Sequence, residues 1–368
     1  MTRLVALDLP GGPGFVDELR RAWDDGDAVL PVDGRLPPPA REAVLDALAP
    51  ACVVDGSGRR ERPGGRPVDD GDAVITATSG TTGAPKGVVH THAALAAKAG
   101  AVSTALEVDP TVDRWLCCLP LAHVGGLDVV TRALLTATPV EVHPGFDVDA
   151  VLDAARRGAT LTSLVPTALA RLPTNPFRLV LVGGSAPPPD RPPSVIATYG
   201  LTESFGGVVF EGWPLDGIEV RVDGAGEIHL RGPALLRSYR DGRDPKDADG
   251  WFATGDLGAL GPDGRLSVEG RRDDVIVTGG ENVWPEPVER ILDEHPCVAE
   301  VAVVGRPHPE WGQQVTAVVV PGEGGAPDLA ELRAMVRDRL GAFAAPGAVE
   351  LVESLPKTAL GKVRRHLV

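Results

Sequence analysis

The sequence predicts an α/β fold with a smaller α+β portion at its C-terminal end, and three observations carry this. Between residues 72 and 200, short Val/Ile/Leu/Thr runs alternate with helical patterns, the order expected of mostly parallel sheets flanked by helices. From about residue 212 the texture changes to short strands separated by glycine turns, the mark of an antiparallel section. Beyond residue 284, helix and strand patterns resume over enough chain for a small α+β domain.

Taken in order, residues 55–71 read as a loop and "DAVITAT" as a strand. "THAALAAKAGAVSTAL" is a helix with Thr91 as its N-cap. "RWLCCLP" is a strand, "GGLDVVTRALLTA" a helix, "TPVEVH" a strand and "VDAVLDAARRG" a helix. "TLTSLV" is a strand, and "PTALARL" is a helix with Pro166 in its first turn. "FRLVLVGG" and "SVIATYG" are strands. "IEVRVDGAGEIHLRG", "WFATGDLGAL" and "GRLSVEG" make up the antiparallel section. The tail runs helix ("PEPVERILDEH"), strand ("VAEVAVVG"), strand ("QQVTAVVV"), helix ("DLAELRAMVRDRLG"), strand ("AVELVESL"). Residues 1–70 carry no motif.

The 368 residues suffice for two domains, and 43% hydrophobic with 24% charged residues is ordinary for a globular chain. A net charge of -15 argues against nucleic acid and anionic membrane as partners, but not against a phosphate bound in a local positive pocket. The cysteines (52, 117, 118, 297) form no C-x-x-C pair or zinc spacing, so they read as reduced thiols. The N-terminal stretch is too short and too broken by Asp8 for a signal peptide, and no apolar run is long enough to span a membrane. A cytoplasmic location is expected. Only five of the 36 basic residues are lysines (86, 98, 246, 357, 362), which makes each one worth inspecting.

The stretch "TSGTTGAPKG", residues 78–87, combines hydroxyls, glycines and Lys86 directly after a strand. Read as a turn between a strand and a helix, it aims backbone N–H groups at an anion, and Lys86 adds a point charge. It is not a Walker loop, since Lys86 follows Pro85 and Gly87 replaces the Ser/Thr. The stretch resembles the phosphate loop of the adenylate-forming superfamily of acyl- and aryl-CoA synthetases, peptide-synthetase adenylation domains and luciferases. "TYGLTES" (198–204), "GWFATGDLG" (250–258), "GRRDDVIVTGGENVWPEPVE" (270–289) and "LPKTALGKVRR" (355–365) resemble its later motifs, in the right order.

The resemblance implies a large ATP- and acyl-binding domain over 1–272 and a small mobile domain over 273–368, hinged at Asp273. It also implies ATP, Mg²⁺ and CoA as cofactors and co-substrates. Ser79, Gly80, Thr81, Thr82, Gly83 and Lys86 would hold the β/γ-phosphates, Thr202 the α-phosphate and Glu203 the Mg²⁺. Tyr199 and Gly200 would meet adenine, Asp256 and Arg271 the ribose, and Lys362 would bridge the attacking carboxylate and the α-phosphate.

"LPLAHVGGL" followed by an arginine resembles the o-succinylbenzoate–CoA ligases of menaquinone synthesis. This implies an aromatic keto-diacid substrate, with His123, Arg132, Ser163, Gly184 and Ser185 lining its pocket. Asp128 lies four residues before Arg132, so an i,i+4 ion pair explains that arginine equally well. Another acyl- or aryl-CoA ligase, a carrier-protein adenylation enzyme and an inactive AMP- or acyl-binding homologue are the alternatives. A homodimer is left open.

Overall fold

A computed structural model describes residues 2–79, 85–184, 190–357 and 363–368. The chain divides into two compact units, residues 1–220 with 230–252, and residues 221–229 with 253–368. The expected boundary at 272/273 falls within the second unit.

In unit 1 the first 70 residues, blank to motif reading, build half a sheet. β1 (Leu4–Asp8), β2 (Ala28–Pro31) and β3 (Cys52–Asp55) are parallel, with β1 between its two neighbours, and β4 (Gly58–Glu61) turns back antiparallel on β3. Helices α1 (Pro13–Asp24) and α2 (Pro38–Leu48) make the crossovers. Leu4 to Leu7 and Ala28 to Leu30 are fully buried, the continuous apolar run expected of strands covered on both faces. β5 (Asp72–Ser79) joins parallel to β2, and β6 (Pro85–Thr91) pairs antiparallel with β5. Ser238–Tyr239 closes the sheet against β6.

One expectation is corrected at this point. The glycine-rich stretch does not lead straight into a helix, because Pro85–Thr91 is itself a strand that intervenes. The stretch therefore connects two antiparallel strands, and helix α3 (His92–Ala105) begins only afterwards. Its N-cap is Thr91, as expected, with Thr91 Oγ1 accepting the Ala94 N–H at 3.1 Å.

The second sheet of unit 1 runs β13-β12-β11-β10-β9-β7-β8. Its strands are β7 (Trp115–Cys117), β8 (Val140–Val142), β9 (Leu161–Leu164), β10 (Leu179–Val182) and β11 (Val195–Leu201), all parallel, then antiparallel β12 (Gly206–Phe210) and β13 (Trp213–Pro214). Helices α4 (Val124–Leu135) and α5 (Val148–Arg156) connect the parallel strands, and the helix after β9 is a single turn, Pro166–Leu169, shorter than its sequence suggests.

In unit 2 the strands Phe252–Leu260 and Leu266–Arg271 pair antiparallel, with Asp256 opposite Arg271. A second sheet follows, built on a long hairpin of Val298–His308 and Gly312–Pro321. On the edge of Gly312–Pro321 away from Val298–His308, Ile276–Thr278 pairs at one end and carries Glu281–Val283, and Ala348–Leu351 lies parallel further along. Helices Pro285–Leu292 and Leu329–Leu340 cover it with Val288, Leu292, Leu332 and Val336, all fully buried. The α/β architecture with parallel sheets, an antiparallel section and a smaller α+β part is thus as the sequence predicts. No described helix is long and apolar enough to cross a membrane.

Candidate active site

In unit 1 the anion-binding stretch begins where β5 ends. Thr78 faces Lys86 and Ser79 faces Pro85 in the β5–β6 register. Thr78 Oγ1 lies 3.5 Å from the Lys86 carbonyl, and Lys86 is half-buried. Gly80, Thr81, Thr82, Gly83 and the Ser79 side chain lie outside the described residues, as does Ser185.

The motif "TYGLTES" occupies the end of β11 and a short 3-10 turn, Thr202–Ser204. Gly200 is required by close approach: a Cβ there would sit 2.0 Å from the Gly206 carbonyl oxygen on the neighbouring strand. Tyr199 and Gly200 are half-buried beside that strand, with Tyr199 opposite Val209.

The turn is held from several sides. The His90 Nε2–H donates to the Thr202 carbonyl at 2.8 Å, which fixes the tautomer because a carbonyl only accepts. Leu236 N–H donates to the Glu203 carbonyl at 2.7 Å. Ser204 Oγ accepts from Leu201 N–H at 3.0 Å and lies 2.8 Å from the Gly206 carbonyl. Glu203 keeps its side chain half-exposed, and the Tyr239 hydroxyl donates to its Oε1 at 2.9 Å. Burial, and then the Glu203 carboxylate, push the Tyr239 phenol well above its usual range, so it remains a donor. Burial pulls His90 down to about 4, so it is neutral near pH 7.

A half-exposed carboxylate, one oxygen oriented by a phenol, fits Mg²⁺. That ion takes one or two protein carboxylates and fills its remaining positions with water and phosphate oxygens.

The candidates for the acid pocket fare differently. His123 caps α4 and its Nε2–H donates to Asp33 Oδ2 at 3.2 Å. Burial lowers its affinity for a proton, with Asp33 opposing. Asp33 is pulled down to about 2: burial raises it, but the Arg35 guanidinium and backbone N–H outweigh burial. Ser163 is half-buried on β9, and Gly184 follows β10 with φ +90°. Arg132 is only 1% exposed, pairs with Asp128 at 3.0 Å and stacks over Trp115 at 4.2 Å. Of the two readings the sequence left open, this geometry supports the i,i+4 ion pair.

In unit 2 the structure brings Asp256 and Arg271 together. The Arg271 Nε–H meets Asp256 Oδ1 at 3.1 Å, and its Nη1–H donates to the Thr254 carbonyl at 2.8 Å. Thr254 Oγ1 accepts the Asp256 N–H at 3.0 Å and donates to the Ile228 carbonyl at 2.8 Å. Asp273 lies exposed in the 3-10 turn Arg272–Asp274. The next residue, Asp274, meets Arg365 at 3.2 Å, and Arg365 also pairs with Glu289 at 2.5 Å. Lys362 lies outside the described residues.

Motif reading missed His90, Lys98, Tyr239 and Lys246. They reach the turn from other parts of the chain, Lys246 only by way of Leu236, and only the scarcity of lysine marked two of them.

Residues 26–240 match the family described as AMP-binding enzyme, and residues 287–362 match the AMP-binding enzyme C-terminal domain. The chain is 40% identical over 359 residues to a probable 2-succinylbenzoate–CoA ligase of Mycobacterium tuberculosis (strain H37Rv), covering 89% of this chain and 92% of that one. It is 36% identical over 335 residues to the indoleacetate–CoA ligase of Aromatoleum aromaticum, covering 79% and 66%. The o-succinylbenzoate CoA synthetase of Bacillus subtilis, solved with its acyl-adenylate intermediate, superposes with a TM-score of 0.87 at 27% identity, covering 99% of this chain and 87% of that one. The same synthetase has been solved with ATP and a magnesium ion.

Proposed function

The chain belongs to the AMP-binding enzyme family, and from that premise we propose that it is an AMP-forming acid–thiol ligase. It joins o-succinylbenzoate to the α-phosphate of ATP, releases pyrophosphate and passes the acyl group to CoA, in menaquinone synthesis in the cytoplasm. The observation that carries the reading is the Thr202–Glu203 turn. Its backbone is pinned and its carboxylate oriented, so a hydroxyl and an acidic group stand ready where a nucleotide's phosphates meet a cation.

Each candidate has a distinct task. Lys86 and the loop from Ser79 to Gly83 hold the β/γ-phosphates. Thr202 touches the α-phosphate, and Glu203 holds Mg²⁺, which neutralises the charge gathering on the phosphates. Tyr199 and Gly200 form the adenine wall, and Asp256 with Arg271 takes the ribose hydroxyls. Lys362 bridges the two reacting anions, lowering the barrier to their approach. Asp273 is the hinge between domains 1–272 and 273–368, so that Lys362 withdraws before the thiol attacks.

Arg132 favours a second reading. Being buried on Asp128, it is committed elsewhere, and a second substrate carboxylate must find its donors among His123, Ser163 and the backbone near Gly184 and Ser185. An aryl acid with a single carboxylate, as in indoleacetate ligation by the relative, needs no such partner.

The test is CoA-thioester formation with ATP and Mg²⁺ across o-succinylbenzoate, benzoates, indoleacetate, fatty acids and amino acids. A clear preference for o-succinylbenzoate is expected. Preference for a monocarboxylate replaces the substrate, and pyrophosphate release without a CoA product replaces the acceptor.

A further inference from the structure

Two of the five lysines, Lys98 and Lys246, fall outside every motif; Lys98 meets the residue that follows the Thr202–Ser204 turn, and Lys246 reaches the turn only through Leu236. Lys246 Nζ donates to the Leu236 carbonyl at 2.8 Å, and the Leu236 N–H in turn holds the Glu203 carbonyl at 2.7 Å. Lys98 lies on α3, 2% exposed, and its Nζ donates to the Phe205 carbonyl. Asp128 of α4 anchors that ammonium at 3.1 Å and itself carries Arg132.

The backbone shows why a cation is needed there. Phe205 has φ +53° and Gly206 has φ +96°, two successive residues in the left-handed region. This reversal lets β12 return beside β11 directly after the Thr202–Ser204 turn. Gly206 also makes room for the cation, since a Cβ there would lie 3.1 Å from Lys98 Nζ. An ammonium is compact enough to enter such a gap and donate to one carbonyl.

We propose that Lys98 is a positioning residue for the reaction: its ammonium, held by Asp128, locks the Phe205 carbonyl and so sets the aim of Glu203 at the metal. With His90 on Thr202 and Leu236 on Glu203, three of the four carbonyls from Thr202 to Phe205 are then held by groups outside the turn. Burial lowers Lys98 to about 8, with Asp128 opposing the loss and Arg132 adding to it, so it is mostly charged at neutral pH. The inference rests on the proposed role of Glu203 as the Mg²⁺ ligand, but not on the identity of the acid.

The experiment compares ATP affinity with Mg²⁺ and with EDTA, for the wild-type protein and for Lys98→Met, which keeps the chain's length and removes its charge. A loss of roughly tenfold in the Mg²⁺-dependent part is expected, with metal-free ATP affinity within about twofold. A folded Lys98→Met whose Mg²⁺ dependence matches wild type overturns the proposal, as does an equal loss with and without metal. If Lys98→Met does not fold, Asp128→Asn, which frees the ammonium from its anchor, is judged by the same criteria. Wild-type protein that binds MgATP but activates none of the acids in the panel would sink the substrate reading and leave the Lys98 comparison readable. Wild-type protein with no Mg²⁺ effect on ATP affinity would sink the Glu203 role and the Lys98 proposal together.

Discussion

The two units hold their candidate residues by different physics. In unit 1 the Thr202–Glu203 turn is braced from behind by buried donors, with His90 fully buried and Lys98 nearly so. Removing a buried partner leaves an unsatisfied polar group and costs about 1–3 kcal/mol, so such a turn has little freedom. In unit 2 Arg271 and Asp273 are exposed. Asp273 makes no ion pair among the described residues, and the Arg271 guanidinium, though it meets the buried Asp256, stays open to water, where such a contact contributes less than a fully buried one. Fixed groups suit a phosphate site, which gains most when its donors need not reorganise during reaction. Lightly held groups suit a segment that must serve two half-reactions in turn.

The largest expected effect would break this contrast outright. Lys362→Ala should slow adenylation by about 10³-fold and leave thioester formation from a supplied acyl-adenylate within a few-fold. Asp273→Pro should do the reverse, because proline fixes φ at the hinge. Single-turnover assays of each half-reaction measure both. Equal losses in the two steps, for either variant, would remove the two-orientation account and with it the reason for an exposed Asp273.

A second, smaller effect tests how dry the back of the unit 1 turn is. His90 has its proton affinity depressed by burial from 6.5 to about 4. Below pH 6.5 the unfolded chain takes up a proton that the folded chain refuses. The stabilisation is therefore complete above the unfolded value and is lost as pH falls towards the folded one, reaching about 2 kcal/mol by pH 5. His90→Gln keeps a donor for the Thr202 carbonyl and cannot titrate. Urea denaturation at pH 7 and pH 5 should show a smaller acid-side loss in the variant than in wild type. Parallel losses would mean that water reaches His90.

The contrast also explains which parts were legible in the sequence. Tyr199 to Glu203, Asp256, Arg271 and Asp273 sit in short contiguous motifs, where residue type and spacing carry the chemistry. Asp256 and Arg271, 15 positions apart, meet because one hairpin sets them opposite each other. The braces were not legible. His90 lies just beyond the glycine-rich stretch, yet its partner Thr202 is 112 residues away, and Lys98 is 107 residues from Phe205. Such pairs come from sheet order and helix packing, which local patterns do not encode. The same limit hid the strands of residues 1–70: runs of four or five apolar residues buried on both faces show no alternation to read. The β6 strand was missed because a Pro-Lys-Gly start reads as a loop.

The smallest effect falls on the part of the turn that faces outward. The Tyr239 hydroxyl gives Glu203 Oε1 its hydrogen bond at 2.9 Å, and the ring is anchored independently, with Arg243 over its face at 4.7 Å. Tyr239→Phe therefore removes one donor and little else. The loss should be about 1 kcal/mol, or roughly fivefold in the rate of acid-dependent pyrophosphate exchange at limiting Mg²⁺. Saturating Mg²⁺ should recover most of it, because the metal itself then orients the carboxylate. A loss that persists at high Mg²⁺ would place Tyr239 on the nucleotide rather than behind Glu203. No loss at all would mean that the backbone braces alone set the carboxylate's aim, which would make the contrast between the units sharper still.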